Sequence, residues 1–253
     1  MTMTMTRPMR TGFAAILLLA ILGCAPLWAV DADALLAEVD QRMQPGALEM
    51  YRKIINVEPD GRSREFVLYT VRSGADSMAA VFLDPASERG RSTLRLGENM
   101  WLYIPDVGRP IRITSLQSVV GGVFSNTDIL RLDFSVEYSA TLLEEDEEQY
   151  VLDLQARGPE VAYDRLKMWV DQQTRTPAKI EAYAATGLLI KTLEYSRITD
   201  FGDGIVRPAM LETTSPLQRG YRSVMLFSGI ARRDFPDEVF SLGYLPRIGD
   251  LRR

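Results

Sequence analysis

Side chains able to do chemistry are sparse in this sequence, and their spacing offers little to an enzyme. The chain has no histidine, the one side chain whose unperturbed pKa lies near neutrality and a dominant general base and zinc ligand. Histidine triads, Cys–His dyads and histidine metal sites are therefore excluded. Asp200-Phe201-Gly202 matches the magnesium-binding triplet of kinases, but no glycine-rich loop or His-Arg-Asp accompanies it, so it reads as a turn. The acidic run Glu144-Glu145-Asp146-Glu147-Glu148 would suit calcium or a cationic partner, yet between two strand-like runs it reads as a solvated turn. Arg109 and Arg112 would meet a lipid phosphate or a partner's acidic rim; a solvated edge strand accounts for them more simply. No Gly-x-Ser-x-Gly elbow or phosphate loop occurs. The expectation is a protein that is not an enzyme and needs neither cofactor nor metal.

The 253 residues, 46% hydrophobic and 25% charged, suit an ordinary globular protein with one core of roughly 200 residues. The 29 basic residues are scattered and outnumbered by 34 acidic ones, giving a net charge of -5. That balance excludes a nucleic-acid partner.

The N-terminus reads as an export signal. Arg7 and Arg10 precede an uncharged run from Thr11 to Val30, richest in Leu, Ile and Ala between Phe13 and Leu22, the layout of a basic n-region and a short h-region. Residues 1–29 are expected to be removed after Ala29, leaving a periplasmic protein. The alternative is Ile21-Leu22-Gly23-Cys24, which resembles a lipobox and would make Cys24 the lipidated first residue of a membrane-anchored lipoprotein. Pro26 and the short apolar core argue against an uncleaved spanning helix. Cys24 is the only cysteine, so a chain cut at Ala29 has no disulfide and rests on its core alone. The repeated Met-Thr at the start leaves the initiation codon open.

Leu35, Leu36, Val39 and Met43 recur at helical spacing with Asp33, Glu38, Asp40 and Arg42 between them, which predicts a helix from about Asp31 to Gln44, ended by Pro45-Gly46. A weaker helix is expected over Ala47 to Tyr51. From Arg62 to Phe227 the pattern is that of strands: residues 65–72, 78–83, 92–96, 100–104, 149–155, 165–170, 178–183 and 190–195 are rich in β-branched and aromatic residues. Turn formers separate them, which predicts one antiparallel meander of about eight strands or more and a single domain over 30–253. Ser115 to Phe134 breaks the rhythm with Gly121-Gly122 and polar caps at Ser125 and Asn126, as expected of a loop and a short helix over the sheet. Residues 66–71 and 101–104 are apolar in both phases, so each sheet face must be covered; one side would pack on helices and the other would form an open apolar concavity.

Taken together, the export signal, the first helix ending in Val39-Asp40-Gln41-Arg42-Met43, "GENMWLYIPDVGRPIRI", "GVFSNTDIL" and the closing "DFPDEVFSLGYLPRI" resemble the outer-membrane lipoprotein-sorting protein family, the LolA-like periplasmic carriers. Trp101 to Pro105 and Phe124 to Asp128 are its most specific elements. The resemblance implies a mainly β fold with a few helices: a curved antiparallel sheet forming an incomplete half-barrel wrapped over helices, its concave face sheltering acyl chains, with no catalysis.

Methionines at expected strand positions (Met78, Met100, Met168, Met210, Met225) suit a surface that accepts chains of variable shape, although a methionine on a strand is more commonly plain core. Each methylene buried is worth about 0.8 kcal/mol, so acyl chains bind without a polar motif. One alternation puts Leu94, Leu96, Met100, Leu102, Leu152, Leu154, Met168 and Met225 on the lining. The expected function is a periplasmic carrier of the acyl chains of a lipoprotein or lipid between membranes, with an inner-membrane transporter as a possible partner. The second reading is an accessory module of an envelope transport system that binds protein on the same face.

Overall fold

The structure is a computed structural model that describes residues 1–2, 30–131 and 133–252. The segment expected to be a signal, with Cys24, lies outside the described residues.

Thirteen antiparallel strands form one curled sheet that does not close into a barrel. Strand β1 (Leu48–Val57) lies in the interior of the sheet. Strands β2 (Ser63–Ser73), β3 (Ser77–Asp84), β4 (Ser92–Leu96), β5 (Asn99–Tyr103) and β6 (Ile111–Ile113) step outward from it to one edge. The chain resumes at the opposite edge with β7 (Tyr138–Glu145) and returns through β8 (Gln149–Ala156), β9 (Arg165–Asp171), β10 (Pro177–Tyr183), β11 (Leu189–Asp200), β12 (Val206–Thr214) and β13 (Arg222–Arg232), which pairs with β1. This order has a consequence for function. Residues 114–137 join one edge to the other, so they must cross a face of the sheet, and they carry helices α2 (Asn126–Ile129) and α3 (Phe134–Glu137) across it.

Helix α1 (Ala32–Met43) shares that inner face, touching α3, β7 and β12. Asp31 caps it by accepting hydrogen bonds from the amides of Asp33 and Ala34, each at 3.1 Å. Leu35, Leu36, Val39 and Met43 are buried as their spacing predicts. The inner core joins them to Leu48, Met50 and Ile54 of β1, Leu152 and Leu154 of β8, Met168 of β9 and Met225 of β13. The outer face is covered as well. Phe235, together with Val239 and Phe240 of one 3-10 helix (Asp237–Phe240) and Leu245 and Ile248 of a second (Leu245–Leu251), packs on Tyr69, Val71, Ala79, Val81 and Leu94. Arg233 fixes this tail, its Nη1 donating to Glu49 Oε2 at 2.6 Å and to the Leu251 carbonyl at 2.7 Å.

Two expectations change. Ala47 to Tyr51 is not helical: residues 48–57 form β1 with strict alternation of burial. The period of two was masked because Arg52 and Asn56 stand in the inward phase with Leu48, Met50 and Ile54. The thirteen strands agree with the expected meander of eight or more. One side packs on helices as expected, the inner one under α1 and residues 114–137, but the other is not an open apolar concavity, because the chain after β13 packs on β2, β3 and β4 there. Among the described residues no helix is long and apolar enough to cross a membrane.

Candidate functional site

The crossing segment is tied down by an unusual set of inward-facing polar groups. Asp128 accepts from the Ser125 amide at 2.8 Å and hydroxyl at 2.9 Å, from Tyr163 at 3.1 Å and from the Lys191 ammonium of β11 at 2.7 Å. Lys191 also donates to the Val123 carbonyl at 2.8 Å. The Phe124-to-Asp128 motif is thus a locally closed turn that carries one buried carboxylate to one buried lysine. Arg72 of β2 pairs with Asp133 at 2.7 Å, and Arg95 of β4 pairs with Glu137 while donating to the Leu130 carbonyl at 3.1 Å. Asp40 of α1 accepts the amides of Phe134 and Ser135, both at 2.8 Å. Burial raises the Asp40 pKa, against the lowering effect of those amides and of Arg131.

Asn56 and Ser223 hold the other end. The Ser223 hydroxyl donates to Asn56 Oδ1 at 2.7 Å and accepts the Val123 amide at 2.9 Å. The Gly121-Gly122 turn passes so close that a Cβ on Gly122 would lie 2.1 Å from Asn56 Oδ1.

Between the crossing segment and the sheet lies a cavity of about 50 Å³, space for a few waters and far too small for an acyl chain. Its walls are amphipathic. Leu166, Ile180, Leu193, Leu211, Phe134 and Phe227 supply the apolar part, and Arg52, Arg131 and Arg207 supply charge. Arg52 and Arg207 are 5% and 2% exposed, and both guanidiniums lie over the Phe227 ring, 5.8 and 4.7 Å from its centroid. Arg131 lies 3.9 Å above the ring of Phe134.

None of these three arginines has an ion-pair partner among the described residues. Arg52 donates to the Ile129 carbonyl and to Met50 Sδ, and Arg207 to the Met43 carbonyl. Arg207 Nε and Arg131 Nη1 are buried without a hydrogen-bond acceptor. Desolvation first, then the charges of Arg207, Arg131 and Arg72, push the Arg52 pKa down to about 9. Desolvation, then Arg131 and Arg72 opposed by Tyr195, push Arg207 to about 9 as well. The aromatic hydroxyls respond oppositely. Burial raises Tyr163, Tyr138 and Tyr195, with Asp128 adding to the rise in each and Glu137 adding at Tyr138.

The eight residues expected to line the site do not share one surface. Register places Thr93 and Arg95 opposite Leu102 and Met100, and Leu94 and Leu96 opposite Trp101 and Asn99. Leu94 and Leu96 consequently belong to the outer-face core, a correction caused by the turn at Gly97, across which the assumed alternation slipped by one residue. Leu152, Leu154, Met168 and Met225 are inner core, and Met100 and Leu102 are buried. None of the eight borders the cavity. The arginines that do were missed, although for two of them the signal was present: a charged residue in the inward phase of a strand, as at Arg52 of β1 and Arg207 of β12. Arg109 and Arg112 are exposed, Arg112 on edge strand β6, and residues 146–148 form the exposed β7–β8 turn. Among the described residues, no cluster of Asp, Glu, Cys or His has the composition of a metal site.

These features define an antiparallel half-barrel closed by a helical layer over an amphipathic cavity. The same architecture occurs in a LolA superfamily protein from Nitrosomonas europaea, which is 30% identical over 85% of this chain and all of that one, with a TM-score of 0.78. A DUF1329 family protein from Desulfovibrio piger is 25% identical over 84% of this chain and 97% of its own, at a TM-score of 0.73. An outer membrane lipoprotein-sorting protein domain from Vibrio parahaemolyticus shares the fold at 20% identity over 85% of this chain and 98% of its own, with a TM-score of 0.73. A family model described as "Uncharacterized protein" matches residues 74–247, and no curated protein matches the sequence. The chain belongs to the LolA superfamily.

Proposed function

We propose that this protein is a non-enzymatic periplasmic carrier that takes the acyl chains of a lipoprotein or lipid between its sheet and its helical layer and helps move them between membranes. Residues 1–29 would direct export and be removed, leaving 30–253 as one functional domain; an inner-membrane transporter is the natural donor. The observation that carries the reading is the relationship with a LolA superfamily protein over 85% of this chain and all of that one, and the cavity beneath the crossing segment supports it.

The volume sets the mechanism. A cavity of about 50 Å³ admits a chain only if residues 114–137 lift from the sheet. Much of what holds them is polar: the Asp128–Lys191, Asp133–Arg72 and Glu137–Arg95 pairs and the Asp40 contacts. Lifting would uncover Leu166, Ile180, Leu193, Leu211 and Phe227 as an apolar floor. At about 0.8 kcal/mol for each buried methylene, a chain of about a dozen carbons offers enough free energy to offset the loss of several such contacts.

The test is uptake of a fluorescent fatty acyl probe by purified 30–253 in detergent-free buffer. Saturable uptake that a disulfide between 114–137 and the sheet abolishes, and reductant restores, is the expected result. A protein that takes up no probe in either state contradicts the carrier reading and favours a protein-binding module.

A further inference from the structure

The three cavity arginines have no role in holding an acyl chain, and they are an unfavourable feature of the fold as it stands. A buried guanidinium is costly unless a negative charge compensates it. Arg72, Arg95 and Lys191 have Asp133, Glu137 and Asp128. In α1, Asp33 and Glu38 pair with Arg157 and Arg175, and Asp40 accepts the amides of Phe134 and Ser135 and acts on Arg131 without forming an ion pair. Arg52, Arg131 and Arg207 are left facing one cavity from β1, from the crossing segment and from β12, close enough that Arg131 weakens the protonation of both others. Residues 3–29, outside the described part, contain no Asp or Glu that would neutralise them. Water in the cavity would accept hydrogen bonds but would not balance the charge.

We infer that Arg52, Arg131 and Arg207 form an anion-binding site that receives the phosphate or carboxylate head of an acidic amphiphile. The inference rests on the carrier reading for the chain, and on the arginines alone for the head. Guanidinium forks match both oxyanions bidentately, and the open donors at Arg207 Nε and Arg131 Nη1 are the ones an oxyanion would fill. The ring of Phe227 lies beside Arg52 and Arg207, and the apolar walls of Leu211, Leu193 and Ile180 border the same cavity. An acidic head at the arginines thus leaves its chain on the apolar floor, so the cargo is selected by head charge as well as by chain.

The experiment is calorimetric titration of 30–253 with dodecyl phosphate, dodecyltrimethylammonium and a neutral dodecyl glycol ether below their micelle concentrations, and with inorganic phosphate. It is repeated on Arg207→Met and Arg52→Met. The expected result is dodecyl phosphate binding about tenfold or more tighter than the neutral ether, as one charged hydrogen-bonded contact would give. In either variant that preference should collapse while ether binding persists. Thermal unfolding supplies a second reading: Arg207→Met should be as stable as the parent or more so, because it removes an uncompensated buried charge. Equal binding of all three dodecyl probes overturns the anion site and leaves the carrier reading intact. If no dodecyl probe binds but phosphate raises the unfolding temperature of the parent and not of Arg207→Met, the anion site stands and the carrier reading fails. A parent that phosphate also leaves unmoved overturns both.

Discussion

Replacing Lys191 by Met tests whether the crossing segment is fastened as described. The ammonium and the Asp128 carboxylate are 6% and 4% exposed and 2.7 Å apart. Removing one partner of a buried pair costs about 3–5 kcal/mol, chiefly through the charge left behind. Here Asp128 would keep three donors, from the Ser125 amide, the Ser125 hydroxyl and Tyr163, which places Lys191→Met near the lower end, about 3 kcal/mol. Asp128→Asn is the costlier change, since it leaves the lysine with the Val123 carbonyl as its other partner. With a urea m-value of about 3 kcal/mol/M, Lys191→Met should lower the unfolding midpoint by about 1 M at unchanged m. Fluorescence of Trp101 and Trp169 and far-ultraviolet dichroism report the transition. A midpoint shift below about 0.3 M, on the same m-value basis, would refute the claim that this pair fastens 114–137.

Other consequences are equally direct. Leu245→Ala, which truncates a fully buried side chain of the tail, should lose about 2–5 kcal/mol, whereas Leu242→Ala, at 41% exposure, should stay within about 0.5 kcal/mol; equal losses in urea would mean the tail does not cover the outer face. Gly122→Ala drives a methyl into Asn56 and should cost about 1–3 kcal/mol, recovered in part by Asn56→Ala in a double mutant. Tyr138, Tyr163 and Tyr195 are raised above the ordinary 10.0. Near pH 10 the unfolded chain loses these protons while the fold keeps them, so it binds fewer protons and stability falls as pH climbs, by about 1.4 kcal/mol per pH unit for each fully retained proton. Phenolate absorbance should show these three titrating only with unfolding; normal reversible titration of all ten tyrosines would contradict their burial.

The legible part of this fold was local. α1 had an apolar stripe and a Pro45-Gly46 stop, and the hairpins had strand runs parted by turn formers, so their limits fell within a few residues of those observed. β1 was not legible, because Arg52 and Asn56 break its apolar alternation for reasons that lie elsewhere in the chain: Arg52 reaches Ile129 and Asn56 reaches Ser223. The strand order explains why the helices lie where they do, and no local pattern encodes it. The site was less legible than the fold. Hydrophobic lining leaves only alternation to read, and one slip at Gly97 turned Leu94 and Leu96 outward. The arginines converge from β1, β12 and the crossing segment, separated by dozens of residues. The inward phase of Arg52 and Arg207 was readable one strand at a time; their meeting at Phe227, and the approach of Arg131, were not.

The most direct test of the account is native mass spectrometry with lipid extraction, on the mature protein purified from periplasm without detergent. The account predicts a near-stoichiometric bound lipid or acylated peptide, carrying an acidic head if the cavity arginines select it. Protein that arrives empty and stays empty when offered acyl chains would contradict the carrier function at its root.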